Sequence, residues 1–150
     1  MTPKTRRVLQ AILYEGIAIA MVTPAIAYLF DTPPGSAFAL SALMSAIALA
    51  WNYVFNALFE RWESRQTVKG RALGRRIAHG IGFESGLAIA LIPVMAGWLD
   101  ISLREAFFAD LEILVFFFIY TIVFTWGFDK VFGLPASALS AAPPDNAASA

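Results

Sequence analysis

Two glutamates interrupt stretches that are otherwise almost wholly apolar: Glu15 in LYEGIAIA and Glu84 in IGFESGLAIA. A charge at the centre of a membrane helix costs about 2.5–3.5 kcal/mol on insertion scales, so such a residue is by default a functional-site candidate. The chemistry open to it is exchange. Low dielectric disfavours an ionised carboxylate, so the group can hold a proton or balance an incoming cation, but not both at once. Asn52 and Asn56 carry NH₂ groups able to donate to a carboxylate. Trp51 and Trp126 offer flat π faces to organic cations, and Tyr14 adjoins the first glutamate.

Other chemistries find no support in the residues. Cysteine is absent and His79 is the single histidine, which excludes a thiolate metal site and a His-rich metal cluster. There is no Ser/His nucleophile set, so an enzyme is disfavoured and no cofactor is expected beyond a proton gradient as driving force. Eleven basic and eleven acidic residues give zero formal net charge, which does not suggest a nucleic-acid partner. The alternative for the glutamates is structural: a carboxyl hydrogen-bonded to an amide that fastens a non-transporting membrane assembly. Placement of the same feature twice favours function.

The elements that carry these residues are membrane helices. Of 150 residues, 59% are hydrophobic and 15% charged, with a mean hydropathy of +0.66, whereas soluble domains are charged at about a quarter of positions. Four segments reach the roughly 20 residues that span a hydrocarbon core: Val8–Phe30, Ala37–Phe59, Ile77–Leu99 and Ala106–Phe128. The N-terminus holds Lys4, Arg6 and Arg7, and the central loop holds Arg61, Arg65, Lys69, Arg71, Arg75 and Arg76. The other two turns carry only Asp31, Asp100 and Arg104. The positive-inside rule therefore predicts that both termini and the central loop are cytoplasmic. A cleaved signal peptide fits the first segment less well, because its apolar run is long and it matches the third. Residues 134–150 read as a low-complexity, disordered cytoplasmic tail.

An offset of 69 aligns the two halves. Arg6-Arg7 meets Arg75-Arg76, Glu15 meets Glu84, Pro24 meets Pro93, Asp31 meets Asp100, Trp51 meets Tyr120 and Phe55 meets Phe124. The expected architecture is all-α: two helical hairpins, residues 4–65 and 66–133, inserted the same way round as parallel repeats. Glu15 and Glu84 then lie at one depth, about 12 Å from the cytoplasmic end at 1.5 Å per residue. Ser41, Ser45, Asn52 and Asn56 share one arc of the second helix at 100° per residue. Their counterparts on the fourth helix are Asp110, Leu114, Thr121 and Thr125. Each hairpin thus carries a polar stripe suited to lining a path, with Asn52 and Asn56 expected to orient Glu15. Gly82 and Gly86 read as a close helix-contact face, Trp62 and Trp98 as interface anchors, and the two prolines as gating joints or packing bends. Glu112, with Leu43 as its counterpart, is expected at a subunit contact or directed outward.

The motifs RVLQAILYE, WNYVFNALFE, RIAHGIGFESGLAIALIP and YTIVFTWGFD resemble the four signature helices of the proteobacterial antimicrobial compound efflux family, whose best-known member exports chlorhexidine. The resemblance covers about residues 4–132. It implies proton-coupled export of cationic biocides such as chlorhexidine, acriflavine-type dyes and quaternary ammoniums across the bacterial inner membrane, with short diamines as possible natural cargo. It assigns the essential first-helix glutamate to Glu15, the amide and tryptophan motif to Trp51, Asn52 and Asn56, and the third-helix glutamate to Glu84. Departures are Gln10 where the family has histidine, Tyr14 where phenylalanine is common, and Thr125 where asparagine would complete the repeat. Four helices make a thin wall, so a homodimer or larger assembly in the lipid bilayer is expected.

Overall fold

The computed structural model describes residues 2–66 and 73–133. Among these, all regular structure is helical: α1 (Pro3–Leu29), α2 (Pro34–Ser64), α3 (Leu73–Leu99) and α4 (Leu103–Phe132). All four are long and apolar enough to cross a membrane. Each covers one expected span and runs beyond it at the polar flanks, which are themselves good helix formers, except that α1 stops one residue short of the expected Phe30, its C-cap. Thr2 caps α1 by accepting from the Thr5 N–H at 3.2 Å. Ser102 opens α4 with a reciprocal capping box to Glu105, which satisfies two orphan donors of the first turn. α1 and α3 run without a break through Pro24 and Pro93.

The α1–α2 and α3–α4 turns are built alike. Asp31 and Asp100 both adopt left-handed backbone, with φ of 47° and 54°, a conformation that aspartate tolerates better than most residues. The amides one residue on, at Thr32 and Ile101, reach back to the carbonyls of Ala27 and Ala96, both at 3.1 Å. This bond closes the helix C-terminus with a Schellman-type cap. Between the two turns the four helices meet in a dry core centred on Ile26, Ala37, Leu40, Met95 and Ala106, with Leu40 and Met95 fully enclosed. That end of the bundle is shut.

α1 packs along α2, α3 along α4, and α2 along α3. The ring closes at the opposite end, where Tyr120 of α4 donates from its hydroxyl to the Tyr14 carbonyl of α1 at 2.8 Å. Arg6 there pairs with Asp129 and donates to the Gly133 carbonyl at 2.9 Å. Across from it Arg75 lies 3.8 Å from Glu63. Lys69, Arg71 and the expected tail at 134–150 lie outside the described residues.

Candidate functional site

Between the dry core and the Arg6 end lies a cavity of about 500 Å³. Nine pairs of its lining residues are separated by 69 positions, among them Tyr14 and Phe83, Glu15 and Glu84, Val22 and Leu91, and Ser41 and Asp110. The cavity therefore sits on the pseudo-twofold axis that relates the hairpins. Three carboxyls face it, Glu15, Glu84 and Asp110, and no Lys, Arg or His among the described residues lines it. Glu84 and Asp110 lie within electrostatic reach of one another. The rest of the wall is apolar apart from Ser41, Ser45, Thr121 and the Tyr14 hydroxyl.

Glu15 accepts a hydrogen bond from the Ser45 hydroxyl, not from Asn52 or Asn56 as expected. The reason lies in how depth is counted. Glu15 stands sixteen residues before the left-handed Asp31 and Ser45 fourteen after it, whereas Asn52 and Asn56 are 21 and 25 beyond. Two helices leaving one turn meet at equal distances from it, so Ser45 is level with the carboxyl and both amides lie further toward the Arg6 end. There Asn56 donates to the Asn52 side chain at 2.6 Å and to its carbonyl at 2.8 Å. Its own Oδ1 lies 2.9 Å from His79 Nε2. The imidazole is held edge-on to Phe55 and Phe59, with centroids at 5.1 and 4.8 Å. His79 and Ser45 thus take contacts that were not anticipated, although Ser45 stood on the polar stripe.

Between the cavity and the Arg6 end stand two aromatic ladders. On α4, Tyr120, Phe124 and Phe128 follow one another with centroids 5.7 and 5.8 Å apart. On α2 their counterparts Trp51, Phe55 and Phe59 do the same at 5.5 and 5.9 Å. Each ladder is edged by the aromatic residue next to a glutamate: Tyr14 with Phe124 at 5.2 Å, and Phe83 with Phe55 at 5.6 Å. The Trp51 indole N–H donates to the Phe83 carbonyl at 2.9 Å, which reproduces the Tyr120–Tyr14 bond in the other repeat. Trp51 is therefore a helix-to-helix fastening and not part of the cavity wall. Trp126 is 65% exposed on the outside of α4 beneath Lys130, whose Nζ is 4.6 Å from the ring centroid. Of the residues expected along a path, Tyr14, Glu15, Glu84, Asp110 and Thr121 line the cavity. Trp51, Asn52, Asn56 and Trp126 do not. Trp98 bonds Ser36 at 2.9 Å near the end of the bundle that carries the Asp31 and Asp100 turns, and Glu112 is exposed on α4.

Comparison with known proteins agrees with this two-fold construction. The family model described as chlorhexidine efflux transporter matches twice in tandem, over residues 2–65 and 71–134. The chain belongs to that family. As a member it is a multi-pass membrane transporter and not an enzyme, consistent with a place in the bacterial inner membrane. Curated relatives are named short-chain diamines transporters. One from Acinetobacter baumannii is 33% identical over 126 residues, covering 84% of this chain and 87% of the relative. One from Acinetobacter baylyi is 32% identical, with 84% and 89% covered. One from Vibrio parahaemolyticus is 33% identical over 128 residues, with 85% and 91% covered. No solved structure matches the chain.

Proposed function

We propose that this efflux-family transporter exports organic cations in exchange for protons, with Glu15 as the exchanging carboxyl. The observation that carries the reading is the cavity itself: about 500 Å³, three carboxyls, and no cationic side chain in its described wall. Carboxyls so placed need protons or a cationic guest to balance them. Protonation and occupancy by a cation exclude each other at one carboxyl, and that exclusion couples the two flows. The apolar wall favours weak selectivity, suited to amphipathic biocides such as chlorhexidine, acriflavine-type dyes and quaternary ammoniums. Carboxyls on both repeats also suit short diamines, the cargo named for the relatives. A homodimer with both termini in the cytoplasm completes the proposal.

Uptake into inverted vesicles with an imposed proton gradient tests it. Addition of a diamine or a quaternary ammonium should release protons from the vesicle lumen in proportion to uptake. A protein whose carboxyls only fasten helices releases none.

A further inference from the structure

The pseudo-twofold makes each seam between the hairpins a control for the other, because α2–α3 and α4–α1 contacts are related by the same offset of 69. Their difference is informative. At the α2–α3 seam, Trp51 lies flat against the α3 backbone. A Cβ added at Gly86 would stand 2.1 Å from its Cζ2, and one at Gly82 would stand 3.2 Å from Phe55 Cζ. Such backbone-close contact is the tightest packing available to membrane helices. At the α4–α1 seam the matching positions on α1 are Leu13 and Ile17, so no glycine offers the same backbone approach there. Across that seam Tyr14 bonds Thr121 and Tyr120 bonds the Tyr14 carbonyl, both at 2.8 Å, and Arg6 pairs with Asp129 at its end. The Tyr120 bond is matched by Trp51–Phe83 on the other side, whereas the Tyr14–Thr121 bond is not, because Phe83 has no hydroxyl. The cavity breaks symmetry toward the same seam. Phe118, Thr121 and Ile122 of α4 line it, whereas their α2 counterparts Leu49, Asn52 and Tyr53 do not.

We infer that the α1–α4 seam is the door of the cavity, with the Tyr14–Thr121 pair as its latch, and that the glycine-packed α2–α3 seam is the fixed side on which the hairpins pivot. Hinges and doors in a rigid bundle fall where two discrete packings cost similar free energy. The exchangeable Tyr14–Thr121 hydroxyl bond meets that condition, and an indole seated where a side chain would otherwise be does not. Tyr14 and Thr121 are positioning residues here. They set the opening of the cavity and need not touch the cargo during exchange. The inference rests on the transport reading above.

The chain contains no cysteine, so introduced thiols are the only ones present. Tyr14→Cys/Thr121→Cys places a pair across the proposed door, and Phe55→Cys/Gly82→Cys places one across the fixed seam. Each is joined by a short thiol-specific linker that reductant cleaves. Linking the door should lower cation efflux by about tenfold or more, as expected where opening limits turnover, and reductant should restore it. Linking the fixed seam should leave efflux within about twofold of the reduced protein. Loss of efflux on linking the fixed seam, or none on linking the door, overturns the inference. Labelling of a single thiol, Ala48→Cys in the cavity wall, provides a readout independent of transport. A water-soluble maleimide should label it faster when Tyr14→Phe removes the latch hydroxyl, and equal rates overturn the inference. If the parent protein moves no cation while Tyr14→Phe still speeds labelling, the transport reading fails and the door stands.

Discussion

Glu15 accepts a hydrogen bond from Ser45, while the matching place beside Glu84 is held by Leu114 and another acid, Asp110, lies within its electrostatic reach. The first carboxyl is thus oriented by a neutral donor and the second faces a like charge. We expect Glu15→Gln, which keeps shape and removes titration, to abolish proton-coupled export in vesicles while the protein stays folded. Glu84→Gln should leave measurable transport, and a greater loss from it would place the primary site in the second repeat. Ser45→Ala should lower kcat/KM for a cation by about three- to tenfold, corresponding to roughly 1 kcal/mol for one lost hydrogen bond. Because proton and cation compete, affinity for a permanently charged quaternary ammonium should rise with pH, and a flat binding curve would rule out a shared site. The carboxyls could be read from the chain because nothing else makes glutamate tolerable in LYEGIAIA. Ser45 could not be singled out, since serine is cheap to bury in a helix by bonding its own backbone, as Ser41 does with Ala37.

At the scale of elements, each seam carries an aromatic ladder of the same plan, and the two differ in what they rest against. Gly86→Ala puts a methyl group where the Trp51 ring lies, and overpacking of this kind costs about 1–3 kcal/mol. Thermal unfolding in detergent should show that loss. The second substitution Trp51→Tyr should recover most of it, because tyrosine is what the other repeat carries at the matching position, Tyr120. No recovery would mean that the glycine serves backbone flexibility and not the indole. The four helices and their pairing were evident from apolar runs, turns and the offset of 69. Gly82 and Gly86 also stood out as a contact face. The placement of Asn52 and Asn56 did not follow, because helix depth was counted from the membrane surface, and α2 extends well past it to Ser64. Trp126 was expected on the path for its flat ring, although at 100° per residue it falls well away from the Asp110, Thr121 and Thr125 arc of α4, a periodicity that already pointed it outward.

For the whole molecule, both hairpins enter the membrane in the same sense, so reporter fusions after Phe132 and between residues 66 and 73 should both report cytoplasm. A fusion at Pro33 should report periplasm, and an external C-terminus would be incompatible with parallel repeats. The Arg6 side chain reaches the Gly133 carbonyl at 2.9 Å, so the first and last described helices begin and end as neighbours. Proximity of this kind is what tolerates relocation of chain ends. A gene rewired to start at Leu73, run through Gly133 and a flexible linker into Thr2, and stop at Gln66 would preserve every contact between helices. We expect that permuted protein to insert and to bind cations as the parent does. The sequential order of the two halves would then be an accident of how a duplicated hairpin gene was joined, and not an instruction for folding.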